Sequence, residues 1–282
     1  MKSTIVRSIV NSQWLATACL GKLAPGLASH IAVQLSLRPR TCRVPKLGPL
    51  EQPHYQYRMP CLGEEVALYR WNGRGPKVLV SHGWNSSALR LYPLVEALRQ
   101  AGYEVWAVDH LGHGQSSSKR ASVPRFARVL EAVLTRYGPF QAGVGHSMGA
   151  VGLALARHQR QLPLPLVLLA PPPDIRPWFL KVARKLGFSD LSYQNMETIL
   201  QRQEQIDLEA ILPEVTMKET GSASLILAGS LDREVSPPQA QRYQQGQTDQ
   251  FEICQDLDHG QMWSSPLVHQ RVQKWLAENV NR

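Results

Sequence analysis

Between residues 77 and 173, four short apolar runs alternate with three stretches of helical spacing. "KVLVSHGW" leads into "LRLYPLVEALRQAGY", "EVWAVDHLGHG" into "VPRFARVLEAVLTRYG", and "FQAGVGHS" into "MGAVGLALARHQRQ", before "PLVLLAPPP" closes the series. Strands separated by helices of this length pair in parallel, because only a long crossover brings the chain back to the same end of a sheet. The pattern therefore predicts an α/β fold, a mostly parallel sheet with helices on both faces. Two earlier runs, "HYQYRMP" and "EEVALYRWNG", read as a meander joined around Gly63. The alternation fails from about 174 to 220, where "WFLKVARKLGF", "SYQNMETILQRQ" and "DLEAILPEV" are helical with no strand between them. It resumes with "SASLILAGS", a helix near "PPQAQRYQQ", "QFEICQDL" and a last helix, "LVHQRVQKWLAENV". A helical insertion of this kind predicts a cap over one end of the sheet. Sites in open α/β sheets lie at the carboxyl ends of the strands, so such a cap covers them.

Charge separates the first 50 residues from the rest. Of the net +9, seven cations (Lys2, Arg7, Lys22, Arg38, Arg40, Arg43 and Lys46) precede the first acid, Glu51, which leaves the remaining chain with a net +2. A body so nearly neutral, without interleaved basic and aromatic residues, is not built to grip nucleic acid. The four cysteines, Cys19, Cys42, Cys61 and Cys254, form no CxxC pair, so zinc and redox-motif readings fall away and buried or idle thiols remain. No stretch of 18 residues is uniformly apolar. Leu20, Leu23, Leu27 and Ile31 recur at helical spacing, as do Ile5, Val6, Ile9 and Val10. The expectation is one or two amphipathic helices packed on the main body. A helix lying on an anionic membrane surface and a cleaved targeting peptide are the alternatives. "RPRTCRVPKLGPLEQP" is rich in proline and charge and reads as a linker, which divides the chain into a segment 1–50 and a domain 51–282. Cytoplasmic residence is the expectation, with membrane association or export as alternatives.

"VGHSMGAVG" places Ser147 where a strand ends and a helix begins, with Gly145 and Gly149 on either side. That context makes a G-x-S-x-G serine a nucleophile on a sharp strand-to-helix turn. The helix N-terminus behind it offers unpaired N–H groups and positive dipole to a developing oxyanion. A serine needs a base within hydrogen-bond reach. His259, in "DLDHGQMW", falls in the loop after the final strand, on the edge of the sheet that carries Ser147. His82, His110, His113 and His146 sit in strand-end motifs, where a ring N–H shapes a loop. His30, His54, His158 and His269 read as surface or packing residues. The imidazole in turn needs an acid to fix its tautomer, and Asp232 in "LILAGSLDREVSP" lies on the same edge; Asp174 and Asp258 are its rivals. For the oxyanion, the backbone N–H of Met148 and of Trp84, after His82-Gly83, are the expected donors. The Trp84 ring walls an acyl pocket or simply packs. Trp178 and Phe179, in the insertion, are candidates to line an acyl tunnel above Ser147.

"SHGWNSS", "DHLGHGQSS", "GHSMG", "GSLDREVSP" and "DHG" together resemble, in order, the oxyanion turn, structural loop, elbow, acid loop and base loop of the α/β-hydrolase superfamily, most closely its small serine carboxylesterases and lipases. The resemblance spans residues 54 to 282. It implies eight strands with a lid between the sixth and seventh, and the order Ser147, Asp232, His259 for nucleophile, acid and base. It further implies hydrolysis of a short- to medium-chain ester through an acyl-enzyme, with no metal and no cofactor. A membrane-surface lipase or lysophospholipase and a non-catalytic ligand-binding relative are the competing readings. Dehalogenases and epoxide hydrolases carry an aspartate at the elbow, where this chain has Ser147.

Overall fold

The computed structural model describes residues 24–40, 42, 44–185, 190–218 and 221–280. The expected helical residues Ile5, Val6, Ile9, Val10, Leu20 and Leu23 lie outside the described residues, as do Leu186 and Phe188 of the insertion. Eight strands among the described residues form one sheet: β1 (Tyr55–Cys61), β2 (Glu64–Trp71), β3 (Lys77–Ser81), β4 (Glu104–Asp109), β5 (Ala142–His146), β6 (Leu166–Leu169), β7 (Ser224–Gly229) and β8 (Gln250–Cys254). Their spatial order is β1-β2-β4-β3-β5-β6-β7-β8. β1 and β2 form an antiparallel hairpin, β2 meets β4 antiparallel, and every later pairing is parallel. The fold is the α/β-hydrolase arrangement.

Burial follows from position in this order. β4, β6 and β7 are buried at every residue, which is why they read as continuous apolar runs rather than alternating ones. The outermost strands β1 and β8 keep polar and exposed positions, as befits edges open to water on one side. On one face of the sheet, Val78, Val80, Val105, Val144, Val167 and Leu227 pack with Leu94 and Leu98 of helix α2 (Tyr92–Gln100), and with residues of the C-terminal helix (Pro266–Asn279) such as Trp275. α3 (Val123–Tyr137) starts where the Ser122 hydroxyl accepts the Arg125 N–H at 3.2 Å. That satisfies one of the donors a helix start leaves over. α3 packs on α4 (Met148–Arg160), and α4 runs directly out of β5.

The chain divides into two compact units, one of residues 39–173 and 209–282, the other of residues up to 38 together with 174–208. The larger holds the sheet. The smaller contains α1 (Pro25–Ser36), α5 (Arg176–Lys185) and α6 (Asp190–Glu204), with α1 packed against both of the others. Within it, the Gln34 side-chain amide donates to Gln203 at 3.3 Å. α1 is helical as its spacing suggested, but its buried face is Ala28, Ser29, Ala32, Val33 and Ser36. The row Leu27, Ile31 and Leu35 points outward, with 57%, 36% and 41% of each residue exposed. Small residues let helices approach closely, so they take the inner face and the larger apolar side chains are left outside. No helix among the described residues is long and apolar enough to cross a membrane.

From Pro39 onward, the described residues before β1, linker-like in composition, belong to the larger unit. Val44 and Leu47 pack against the core, and the Trp71 indole donates to the Glu51 carbonyl at 3.0 Å. The Arg40 N–H donates to the Asn85 side-chain oxygen at 2.6 Å.

Candidate active site

Ser147 is the residue before the first turn of α4, and its backbone is held at φ +53°, ψ −126°. That left-handed region is disfavoured for any residue with a Cβ and is found where a surrounding structure enforces it. Two glycines allow the bend. A Cβ at Gly145 would lie 2.5 Å from the Ala150 Cα, and one at Gly149 would lie 2.3 Å from the His82 carbonyl oxygen. Any other residue at either place would drive β5, α4 and the turn after β3 apart.

Three of the expected side chains meet at this bend. Ser147 Oγ is 3.0 Å from His259 Nε2, and His259 Nδ1 is 2.7 Å from Asp232 Oδ2. Since the carboxylate only accepts, Nδ1 carries the proton and Nε2 presents its lone pair to the serine hydroxyl, which donates. The other Asp232 oxygen accepts the N–H groups of Glu234 and Val235, each at 2.8 Å. Burial would raise the Asp232 pKa, but the His259 hydrogen bond and these backbone donors outweigh it and hold the carboxyl below its ordinary value. The rival acids are occupied elsewhere. Asp174 pairs with Arg176 at 2.8 Å in the smaller unit. Asp258 accepts the Gln261 N–H at 2.9 Å and turns its own loop.

The turn after β3 lies against Ser147: a Cβ at Gly83 would come within 2.9 Å of the Ser147 Cβ. His82, fully buried, donates from Nδ1 to the Gly83 carbonyl at 2.7 Å and accepts the His110 N–H on Nε2 at 3.1 Å. The Gly83 carbonyl belongs to the same peptide unit as the Trp84 N–H, so the ring fixes the direction of that N–H. Desolvation pushes the His82 pKa down to about 4, against the pull of its bond to Gly83; the ring stays neutral and keeps this tautomer. Met148, the second expected donor, is buried at the first position of α4. The Trp84 ring packs parallel to Phe126 at 6.3 Å and edge-on to His113 at 5.5 Å. Trp178 and Phe179 lie on α5 of the smaller unit, Phe179 buried and Trp178 half-buried.

His146, beside the serine, supports the base. Its Nε2 donates to the His259 carbonyl at 2.9 Å, which leaves Nδ1 as a buried acceptor without a partner. Burial, with His259 beside it, lowers its pKa to about 3. A second positive ring next to His259 is thereby avoided when that base takes a proton. Among the described residues, no group of three or more His, Cys, Asp or Glu side chains is placed to hold a metal ion.

The family described as serine aminopeptidase, S33 matches residues 75–210. Monoglyceride lipase of Rattus norvegicus is 32% identical over 109 residues, 35% of this chain and 36% of the lipase. Epoxide hydrolase B of Mycobacterium tuberculosis is 39% identical over 84 residues, 27% of this chain and 23% of that enzyme. The chain thus matches about a third or less of the length of these curated relatives. Among solved structures, Est1E from Butyrivibrio proteoclasticus with bound ferulic acid superposes with a TM-score of 0.64 at 17% identity, over 80% of this chain and all of that one. The esterase Pf2001 of Pyrococcus furiosus also gives 0.64, at 15% identity, over 86% and 98%. Its sheet order, its strand-to-helix serine and these superpositions show the α/β-hydrolase fold, and over residues 75–210 the chain is similar to the serine aminopeptidase, S33 family.

Proposed function

We propose that this protein hydrolyses carboxylic esters of short to medium acyl length through an acyl-enzyme on Ser147. The observation that carries the reading is the unbroken line from Ser147 Oγ through His259 to Asp232, at 3.0 and 2.7 Å. In the acylation step His259 Nε2 takes the serine proton as Oγ attacks the ester carbonyl. Asp232 stabilises the imidazolium, and the N–H groups of Met148 and Trp84 receive the oxyanion. The protonated His259 then delivers its proton to the departing alcohol. Water enters, activated by the same nitrogen, and releases the acid. Residues at every station are supplied by the protein, so the sequence needs no cofactor.

Serine at position 147 supports an ester over an epoxide, whose opening in this superfamily is expected to use an elbow carboxylate. The named lipase and esterases support the same choice; the serine aminopeptidase family favours an amide bond at the amino terminus of a peptide. Purified protein offered p-nitrophenyl esters from acetyl to dodecanoyl, and aminoacyl p-nitroanilides in parallel, separates these. Turnover of the esters, peaking near butyryl or hexanoyl and exceeding that of the anilides, is expected. Preference for the anilides would replace the ester reading with a peptidase.

One observation favours a second reading, an enzyme working at a lipid surface. Leu27, Ile31 and Leu35 form an exposed apolar row on α1, the smaller unit also exposes Lys181, Arg184 and Lys185, and the first 50 residues hold seven cations with no acid. Exposed apolar side chains and a basic segment of chain both favour the interface of an anionic bilayer. Full-length protein should sediment with phosphatidylglycerol vesicles and not with phosphatidylcholine alone. Leu27→Glu combined with Ile31→Glu should abolish the association; indifference of wild type to both vesicles would end this reading.

A further inference from the structure

The residue after Trp84 is held by two hydrogen bonds. Asn85 has φ +53°, the left-handed region in which Asn is the best tolerated residue after glycine. Its N–H donates to His113 Nε2 at 3.2 Å. His113 donates from Nδ1 to the Leu111 carbonyl, also at 3.2 Å, so Nε2 is free of a proton and able to accept. Desolvation and the neighbouring His82 keep that ring neutral, lowering its pKa to about 3. The second is from the Arg40 N–H, 2.6 Å from the Asn85 Oδ1. The neighbouring Pro39 lies against the His113 loop, where a Cβ on Gly112 would be 3.1 Å from its Cγ. Residues 39–40, 85 and 111–113 are far apart in sequence and converge one residue beyond the N–H assigned to the oxyanion.

Resting on the ester-hydrolase reading of Ser147, we propose that Asn85 is a positioning residue for the oxyanion turn, and that residues 39–40 are a working part of the active site through the Arg40 amide. His82 fixes the Gly83–Trp84 peptide from the carbonyl side; Asn85 fixes the chain on the far side of Trp84. With both ends held, the Trp84 N–H keeps its direction without having to reorganise as charge develops, which is the condition for a donor to act on the transition state more than on the ground state. Asn suits position 85 because it combines tolerance of the left-handed backbone with a side-chain acceptor; glycine offers only the first.

Asn85→Gly keeps the backbone and removes the acceptor. Arg40→Pro removes the N–H that it accepts. The measurements are kcat and KM per active site, with sites counted by exhaustive fluorophosphonate titration, and the Ki of a trifluoromethyl ketone that forms a tetrahedral adduct. Losing an oxyanion donor outright lowers kcat by about 100- to 1000-fold, so misaiming one should lower it by about 10- to 100-fold in Asn85→Gly. KM should stay within about twofold, and the ketone Ki should rise in step with the loss of kcat/KM. The double variant should be no worse than the more severe single variant, because both remove one interaction. A purely structural role would lower the count of titratable sites and leave kcat per site unchanged, and that result overturns the proposal. Multiplicative losses in the double variant overturn it as well. Wild type that neither turns over esters nor takes the titrant would instead remove the underlying reading, so the two failures are told apart.

Discussion

Two strand ends of the sheet each bury an aspartate, and the two are used in opposite ways. Asp109, at the end of β4, accepts the N–H groups of Ala88 and Gln115 at 2.7 Å each and the Tyr69 hydroxyl at 2.8 Å. Asp232, after β7, likewise accepts two backbone N–H groups, and its third partner is the His259 imidazole. Burial dominates at Asp109 and raises its pKa, despite those donors; at Asp232 the donors and the imidazole prevail and lower it. Equal numbers of hydrogen bonds thus serve two ends. Asp109 draws the segment after the oxyanion turn and the loop holding His113 onto the sheet. Asp232 aims one ring.

Exchanging each carboxylate for its amide breaks the comparison most sharply. Asp232→Asn should lower kcat by about 1000- to 10,000-fold, because an amide no longer enforces the tautomer that leaves Nε2 bare. Its melting temperature should move little, as its backbone acceptor oxygen can remain. Asp174→Asn, whose carboxylate pairs with Arg176, should keep kcat within about twofold; steady-state kinetics of the two variants decide it, and a reversed order would move the acid to the loop after β6. Asp109→Asn should behave the other way. An amide cannot accept three donors there, so about 1–3 kcal/mol of stability should be lost, read by urea unfolding, while kcat per titrated site falls by less than about tenfold.

Acid sharpens the contrast further. His82, His113 and His146 are held neutral by burial, with pKa values near 4, 3 and 3. Below the ordinary histidine value of about 6.5 the unfolded chain takes up these protons and the folded protein does not, so stability falls as pH falls. The limit is about 1.4 kcal/mol per pH unit for each ring until its folded pKa is reached. Asp109, with its raised pKa, contributes in the opposite sense at low pH, since the folded form holds its proton more tightly. Asp232, lowered, keeps its contribution through this window and gives it up only below the ordinary carboxylate range. Melting temperatures should therefore drop steadily from pH 7 to pH 5; a flat profile would mean that these rings are not buried neutral.

What could be read from the sequence and what could not divides along a physical line. The strand runs, the bend at Ser147 and the places of Asp232 and His259 were legible because they rest on side-chain type and spacing: apolar runs buried on both faces, glycines flanking a nucleophile, an acid and a base following successive strands. The outward face of α1 was not. Periodicity marked the helix, yet burial went to Ala28, Ala32 and Ser29, since close helix packing selects for small side chains over apolar ones. Nor was the place of residues 39–51. Proline and charge there suggest a linker, but what ties the stretch to Asn85 is a backbone N–H, which every residue but proline possesses. Asn85 itself carried a faint signal, an Asn just beyond a glycine turn.

The central claim is that Ser147 becomes acylated, and peptide mapping by mass spectrometry after treatment with a fluorophosphonate tests it most directly. One adduct per chain is expected, on Ser147, with the Ser147→Ala variant folded, unlabelled and inactive on every ester that wild type cleaves. An adduct on another residue, or ester turnover surviving in Ser147→Ala, would contradict it.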